Sequence, residues 1–432
     1  MHHFAYKSGV LHCEGVSLET IAGAIGTPAY VYSDATLRRH YAVLSEAFSD
    51  RDVLIAFAVK ANSNLAVIRT LAEMGAGADV VSGGEMKRAL AGGVPANRIV
   101  FSGVAKSEDE IAFALDKGIH QFNVESLPEL RRLSRIATAM GKRANMAFRV
   151  NPHVEAGGHA HISTGAAEHK FGIAWHEAES FYAEASRLPG VDPVGVAVHI
   201  GSQIMRLEPL GEAWRKVVDL TRRLRQQGYA ISRVDFGGGL GVPYRDSEHP
   251  DTPAQYAAEA RAAMGGLDAQ LILEPGRVIA GNAGVLISRV EYVKERDGRT
   301  FVIIDAGMND LLRPALYNAH HEILPVRTPA MGADRKAVDV VGPICESTDR
   351  FARDRVLPPL KEGDLVAFMT AGAYGATLAS QYNSRALVAE TLVRGDAWSV
   401  VRERPDFEQM TSLERFPDWM NPEGARDRSN VG

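Results

Sequence analysis

The chain has 432 residues, of which 46% are hydrophobic and 23% charged, with a formal net charge of −5. This length indicates two or three domains, and the composition is that of a soluble globular protein without a polyanionic partner such as nucleic acid. No apolar stretch is long enough to cross a membrane. No export signal is predicted, and Cys13 and Cys345 are too few for a disulfide framework, so a cytoplasmic location is expected.

After a short lead-in, apolar strands alternate with amphipathic helices. Residues 29–33 predict a strand, and residues 35–48 predict a helix with Asp34 as its N-cap. Eight more strands are predicted at 53–59, 78–81, 98–102, 120–124, 145–150, 194–200, 233–236 and 271–274. Such alternation implies a parallel sheet, and eight units fit a closed (β/α)8 barrel. An open Rossmann sheet is disfavoured because no G-x-G-x-x-G follows a strand: position 242 is valine.

The pattern changes after residue 277. Strands without long helices between them are predicted at 284–295, 300–306, 336–343, 364–370 and 385–394, and residues 406–419 predict a helical tail. Such a run of strands indicates a separate β domain. The predicted fold is therefore α/β plus β: a TIM-like barrel at 34–277, and a β-sandwich or β-barrel domain formed by 278–432 and completed by 1–33.

A lysine follows the first barrel strand directly. The apolar segment VLIAFAV is typical of a strand buried on both faces, and Lys60 comes at its end. An amine in a partly desolvated pocket loses proton affinity and becomes a nucleophile. The alternative is a lysine that extends from the strand end into water.

Other strand ends carry glycine and polar residues, where barrel enzymes place their sites. The glycines of GGGLG (237–241) suit a phosphate, although a tight turn is the alternative. Glu274 and Arg277 lie in EPGR, at the end of the last barrel strand. They either bind a ligand or form a structural ion pair. His199 ends the sixth strand. Its ring can stack on a planar ligand, or its nitrogens can act as a base or metal ligand; the alternative is a hydrogen-bonded histidine of the core.

The segment 151–172 is rich in histidine, with four at His153, His159, His161 and His169. Their spacing matches no standard metal-ligand pattern, so no metal site is predicted. A mobile functional loop is the favoured interpretation.

These strand-end residues together fit one cofactor, pyridoxal 5'-phosphate. Its aldehyde requires an amine such as that of Lys60, and its phosphate requires a cradle such as the glycines. Its ring nitrogen requires an acid such as Glu274, and His199 offers a flat ring to stack on it.

Seven motifs also occur in the order of a known family: FAVKANSN, HIGSQ, DFGGGLG, EPGR, MNDLLRPALY (308–317), VGPICESTD (341–349) and GAYG (372–375). They resemble the diaminopimelate decarboxylase family, pyridoxal-phosphate enzymes of the alanine-racemase-like, fold-type-III group. The resemblance extends from residue 26 to the C-terminal tail. The GPICES and RPALY segments separate this family from ornithine and arginine decarboxylases.

The resemblance implies a role for each matching residue. Lys60 would hold the cofactor aldehyde, His199 would stack on the ring, and Glu274 would pair with its nitrogen. The phosphate would be held by Ser202, Gly237, Gly238, Gly239, Pro275, Gly276 and Arg277. The substrate would be gripped by Arg277, Arg313, Tyr317, Glu346 and Tyr374, with Tyr374 also touching the cofactor. Cys345 would donate a proton from the other subunit of a homodimer with shared sites.

The reaction that the resemblance implies is decarboxylation of meso-2,6-diaminopimelate to L-lysine and carbon dioxide, the last step of lysine biosynthesis. The alternatives are a decarboxylase of another basic amino acid, a racemase with Tyr374 as second base, and a non-catalytic pyridoxal-phosphate carrier. The β domain with GPICES argues against the carrier. One departure is Thr348, where the family pattern has glycine; it weakens the role carried over to Glu346.

Overall fold

The N-terminal segment forms a small sheet of its own before it enters the larger fold. The computed structural model describes residues 2–154 and 170–420. The first elements are β1 (Phe4–Lys7), β2 (Val10–Cys13), β3 (Val16–Ser17), α1 (Leu18–Ile25) and β4 (Ala29–Ser33). Strands β1–β3 pair antiparallel, whereas β4 lies elsewhere, in the C-terminal sheet.

Eight parallel strands close into a barrel. Its strands, with the short β10 beside them, are β5 (Val53–Ala58), β6 (Gly77–Val80), β7 (Ile99–Phe101), β8 (Gln121–Val124), β9 (Ala144–Asn151), β10 (Ile173–Ala174), β11 (Val191–Ala197), β12 (Arg233–Asp235) and β13 (Gln270–Leu273). The pairing β8–β9 closes the ring, and β13 pairs with β5. The eight predicted barrel strands are thus confirmed.

Helices cover the outside of the barrel: α2 (Asp34–Ala47), α3 (Leu65–Ala72), α4 (Gly83–Ala91), α5 (Glu108–Lys117), α6 (Leu127–Ala139), α7 (Ala178–Ala185), α8 (Glu208–Gln226), α9 (Pro253–Met264) and α10 (Arg277–Ala280). The prediction of Asp34 as the N-cap of α2 is wrong. Ser33 is the cap, because its hydroxyl accepts from the N–H of Thr36, and Asp34 instead binds Arg38 and Arg394.

Side-chain alternation along the barrel strands builds a polar layer at one end of the barrel. Ile55 and Phe57 of β5 pack outward in the main core, whereas Leu54 and Ala56 lie in a separate inner cluster. The same alternation turns polar residues inward at the carboxyl ends of neighbouring strands: Asp79, Ser102, Asn123, Asp235 and Glu274. The functional chemistry is therefore concentrated in one layer, at the carboxyl face of the barrel.

A largely antiparallel β domain follows the barrel. Its elements are β14 (Gly284–Arg296), β15 (Arg299–Ile304), α11 (Arg313–Tyr317), β16 (Ile323–Pro325), β17 (Lys336–Val341), β18 (Arg350–Leu357), β19 (Leu365–Phe368), β20 (Ala389–Arg394), β21 (Ala397–Arg402) and α12 (Phe407–Thr411). Strand β4 pairs with β14 and β20, so the N-terminal segment completes this sheet and the predicted fold class is confirmed.

The β domain also differs from the prediction in detail. Strands β16, β18 and β21 were not predicted, because β18 (RFARDRVL) lacks an alternating apolar pattern and the other two are short or partly exposed. The helical tail is shorter than predicted: only Phe407–Thr411 is α-helical. The exact domain boundaries remain a prediction.

Among the described residues, no helix combines the length and apolar character that crossing a bilayer requires. Of the histidine-rich segment, His153 is described, whereas His159, His161 and His169 lie outside the described residues. Within residues 2–154 and 170–420, no three metal-binding side chains cluster as a metal site would need.

Candidate active site

Lys60 lies in a short 3₁₀ turn (Val59–Ala61) directly after β5, where its side chain reaches the neighbouring strand rather than bulk water. Its Nζ donates to Oδ2 of the fully buried Asp79 at 2.5 Å. Burial works to lower the pKa of this amine, but the carboxylate of Asp79, in direct contact, outweighs it and raises the pKa. The prediction of lowered proton affinity is therefore wrong, because it did not include a buried carboxylate on β6.

Glu274 and Asp235 form a buried pair of carboxyl groups at the ends of adjacent strands. The Nδ2 of Asn123 donates to both, at 3.2 Å to Glu274 and 2.8 Å to Asp235, and the Ser102 hydroxyl donates to Glu274 at 3.3 Å. Burial and the nearby charge of Asp235 raise the pKa of Glu274 well above its usual range. Burial raises the pKa of Asp235 to about 6. The pair therefore retains a proton, held on Glu274.

The glycine turn after β12 leaves no room for side chains. A Cβ on Gly238 would lie 2.3 Å from the carbonyl oxygen of Glu274, and Gly239 has a φ of +118°. On the facing loop, a Cβ on Gly276 would lie 3.0 Å from Cβ of Ala61. The two loops thus present bare backbone to the cavity between them.

His199 lies two residues beyond β11 and is fixed by backbone contacts. Its Nδ1 accepts from the N–H of Gly238 at 3.2 Å, and Arg149 donates to its carbonyl oxygen at 3.2 Å. Burial, with the charges of Arg149 and Lys60, lowers its pKa well below the usual range. The imidazole is therefore neutral, and its ring lines the cavity beside Lys60.

Two buried arginines face the same cavity. Arg277 donates to the hydroxyl of Tyr244 at 2.6 Å and to Ser202 at 3.2 Å, and its guanidinium lies 4.7 Å from the ring centre of Tyr374. Arg313 lies 4.6 Å from the ring centre of Tyr244. Both are only 6% exposed. Within the described ranges 2–154 and 170–420, neither forms a salt bridge with a carboxylate, so an anion is the missing partner.

The predicted site residues fall into three groups. One cavity is lined by Lys60, His199, Ser202, Gly238, Gly239, Glu274, Pro275, Gly276, Arg277 and Tyr374. A connected cavity of about 390 Å³ shares five of these and adds Arg313 and Tyr317. Gly237, Cys345 and Glu346 line neither cavity. Gly237 shapes the turn instead: its φ is +66°, and a Cβ there would lie 2.4 Å from the carbonyl oxygen of Val198.

Cys345 and Glu346 lie on an exposed loop of the β domain. The Sγ of Cys345 is 3.4 Å from Oδ1 of Asn383, and Tyr382 donates to Glu346 at 2.7 Å. The unusual Thr348 points its hydroxyl at Sδ of Met308, at 3.7 Å. Tyr382 and Asn383 contact this loop from outside the predicted motifs. None of the six residues lines either cavity of this chain.

The sequence analysis missed five residues of this site: Asp79, Asn123, Asp235, Tyr244 and His321. Two of them carried a signal, because Asp79 and Asp235 are charges inside apolar strands and must be paired when buried. Asn123 is also a polar residue inside a predicted strand, but an uncharged amide is weaker evidence of a buried partner. Tyr244 and His321 lie in irregular segments, where no local pattern reveals what they contact.

Comparisons with known proteins agree with this geometry. The family model described as pyridoxal-dependent decarboxylase, pyridoxal binding domain, matches residues 34–281. The chain is 48% identical to a diaminopimelate decarboxylase of Pseudomonas aeruginosa over 410 residues, which cover 95% of this chain and 98% of that relative. A diaminopimelate decarboxylase of Haemophilus influenzae is 44% identical over 416 residues, which cover 96% of this chain and 99% of that relative.

Solved structures show the same likeness. The crystal structure of diaminopimelate decarboxylase from Helicobacter pylori complexed with L-lysine has a TM-score of 0.88 and 42% identity, covering 92% of this chain and 98% of that one. The structure of the M. jannaschii diaminopimelate decarboxylase in co-complex with L-lysine has a TM-score of 0.92 and 36% identity, and the match covers 97% of this chain and 100% of that one. The resemblance predicted from the motifs is confirmed: this chain belongs to the diaminopimelate decarboxylase family of pyridoxal-dependent carboxy-lyases.

Proposed function

We propose that this chain uses pyridoxal 5'-phosphate to decarboxylate meso-2,6-diaminopimelate, releasing carbon dioxide and L-lysine. The observation that carries the proposal is the pair of buried arginines, Arg277 and Arg313, beside Lys60. A substrate with a second carboxylate, far from the carbon that reacts, supplies the anion they lack. Ornithine has no distal carboxylate and would leave both buried charges unpaired, at a cost of several kcal/mol.

The residues present fit the cofactor. Gly238, Gly239 and Gly276 have no side chains between their backbone and the cavity, so a phosphate could approach these loops closely. A Cβ at Gly238 would clash with the carbonyl oxygen of Glu274, and one at Gly276 would press on Ala61, so glycine also lets the two loops pack together. Lys60 supplies the amine that binds the aldehyde. Asp79 has one carboxylate oxygen, Oδ1, without a hydrogen-bond partner although it is fully buried, so this end of the site has unused acceptor capacity. When bound, the cofactor supplies an electron sink for the pair left by the departing carboxylate.

The chain's own groups then have separate tasks. Asp79 keeps the Lys60 ammonium in place when the amine is not bonded, because the two are in direct contact. Glu274 holds a proton at the buried end of the site, and Asn123 and Ser102 fix the orientation of its carboxyl group. The neutral ring of His199 would stack on the flat face of the cofactor ring without adding a charge. Arg277 and Arg313 bind the distal carboxylate.

The proton that replaces the lost carboxylate requires a donor, and we assign it to the thiol of Cys345 from a second copy of the chain. This assignment is supported by the exposure of Cys345 on its own chain and by its absence from both cavities. Glu346 of the same loop would take the distal ammonium, with Tyr382 holding its carboxylate. The functional unit we propose is therefore a homodimer with shared sites.

The experiment is carbon dioxide release from meso-diaminopimelate by the purified protein supplied with the cofactor. Ornithine and L-lysine at equal concentration are the comparison substrates. We expect release from diaminopimelate only. Equal turnover of ornithine or lysine would refute the assignment of the distal carboxylate to the two arginines.

A further inference from the structure

The guanidinium of Arg313 is hydrogen-bonded to a histidine that has no role in the proposed reaction. After α11, the chain reverses and brings His321 back under the guanidinium, with Nε2 of His321 and Nη1 of Arg313 2.9 Å apart. His321 is 1% exposed. Its Nδ1 lies 2.8 Å from the carbonyl oxygen of Met369, at the end of β19. The imidazole thus connects Arg313 to the sheet of the β domain.

Both contacts require the same form of the imidazole. A carbonyl oxygen only accepts, so Nδ1 of His321 carries the proton and donates to Met369. A guanidinium only donates, so Nε2 accepts from Arg313. His321 is therefore neutral, with its single proton on Nδ1. Burial and the charges of Arg313 and Arg277 support this form by lowering the pKa of His321 to about 3.

Tyr244 fixes the same guanidinium from a second side. Its ring centre is 4.6 Å from Cζ of Arg313 and 5.3 Å from the centre of the His321 ring, at an interplanar angle of 85°. The histidine sets the position of one nitrogen, and the tyrosine ring sets the plane. Arg313 is thereby oriented before any ligand arrives, which lowers the entropic cost of binding.

We propose that His321 is a positioning residue that makes the site selective for a ligand with a distal carboxylate, by fixing Arg313 through a neutral acceptor. The inference rests on the proposed function. An aspartate or glutamate at this position would also orient Arg313, but its negative charge would compete with the carboxylate of the substrate. A neutral imidazole leaves the full positive charge of the guanidinium for the ligand.

The test compares His321→Phe, which keeps a ring but removes both nitrogens, with His321→Gln, whose amide can accept from Arg313 and donate to Met369. His120→Gln is the control, because His120 is half-buried and bonded to Gln270 at the opposite end of the barrel. We expect His321→Phe to raise KM for meso-diaminopimelate roughly ten- to hundredfold with kcat within about threefold, the range of one lost charge-assisted hydrogen bond. His321→Gln should show a clearly smaller rise, and the control none.

Ligands separate positioning from general damage. L-lysine carries the distal carboxylate, whereas 1,5-diaminopentane has the same chain and two amines without one. We expect His321→Phe to weaken inhibition by L-lysine and to leave that by 1,5-diaminopentane unchanged. Equal weakening of both ligands, or an unchanged KM in folded His321→Gln and His321→Phe proteins, overturns the inference. If His321→Phe does not fold, the lysine and diaminopentane comparison in His321→Gln decides.

A double-mutant cycle with Arg313→Met completes the test. Because His321 acts through Arg313, His321→Gln should not raise KM for meso-diaminopimelate any further once Arg313 is replaced. If the effects of the two substitutions on KM were simply additive, the inference would be overturned. Failure of the proposed function looks different: the unaltered protein would then not release carbon dioxide from meso-diaminopimelate, while lysine and diaminopentane binding would still report on His321.

Discussion

The backbone N–H of Tyr374 donates to the carbonyl oxygen of Ala61 at 2.8 Å, next to Lys60. Tyr374 has a φ of +55°, which non-glycine residues adopt only when their surroundings hold them there. Its ring also lies against Arg277. The loop of the β domain is therefore joined to the lysine turn of the barrel within one chain, and the two domains build the cavity together.

Replacing the lysine tests the covalent role directly. We expect Lys60→Ala to lose decarboxylation by on the order of a thousandfold or more, because its amine is the only group of the cavity suited to bond an aldehyde among the residues described. The near-visible absorbance of the bound cofactor should disappear as well. The exposed Lys117→Ala is the control and should keep both properties. An unchanged absorbance in Lys60→Ala would contradict the assignment.

A methyl group in the glycine turn should push apart the two loops that would hold the phosphate and so weaken cofactor binding. In Gly238→Ala the added Cβ would meet backbone atoms at 2.3 Å, which cannot move aside. We expect cofactor affinity, measured by absorbance titration, to fall at least tenfold. Gly23→Ala in α1 meets nothing within 4 Å and should bind the cofactor as the unaltered protein does. Equal affinity in the two variants would show that the turn is not the phosphate cradle.

The distal carboxylate should depend on Arg313. We expect Arg313→Met to lower kcat/KM for meso-diaminopimelate by roughly 10²- to 10⁴-fold, since one partner of a buried ion pair is lost. The exposed Arg353→Met serves as the matched control. Steady-state kinetics check both variants. A drop of less than threefold would mean that the substrate carboxylate binds elsewhere.

A mixture of two inactive proteins should recover activity if sites are shared between chains. Lys60→Ala and Cys345→Ala each disable both sites of their own homodimer. In a mixed dimer, one site combines an intact Lys60 with an intact Cys345. After equal mixing and re-equilibration we expect roughly a quarter of the unaltered activity, because half of the dimers are mixed and each has one good site. Activity no higher than the mean of the separate variants would place both residues in one chain's site.

The buried carboxyl pair should give the cofactor-free protein an unusual pH dependence of stability. The pKa of Asp235 is about 6 in the folded chain against a usual value of 3.8. Between these values the folded state holds a proton that the unfolded state has released, so the free energy of unfolding falls as pH rises from about 4 to about 6. One such group accounts for up to about 3 kcal/mol.

Denaturant unfolding at a series of pH values measures this effect. Asp235→Asn should flatten the dependence, while the exposed Asp246→Asn should not. Glu274 and Asp310 contribute a remaining slope in both variants, because burial raises the pKa of each carboxyl group, that of Asp310 to about 6. A slope in Asp235→Asn equal to that of the unaltered protein would contradict the burial of an ionisable pair behind Glu274.

The barrel and the kind of site it carries could be predicted from the order of the amino acids alone. Strand and helix periods are local, so eight βα units could be recognised, and strand ends in a closed parallel barrel meet at one face. This is why Lys60, the glycine turn and Glu274 could be predicted to lie together. The position of β4 in the distant sheet also followed from its place before the barrel.

Which charged groups come into contact could be learned only from the folded chain. Lys60 contacts Asp79 because β5 and β6 are neighbours in register, Ala58 opposite Asp79, and this pairing reverses the predicted shift of the lysine pKa. Arg313 and His321 meet through a chain reversal that no periodicity encodes. Burial and partner charge set the protonation of a group, and both depend on residues far apart in the chain, so the chemistry of the site appears only in the fold.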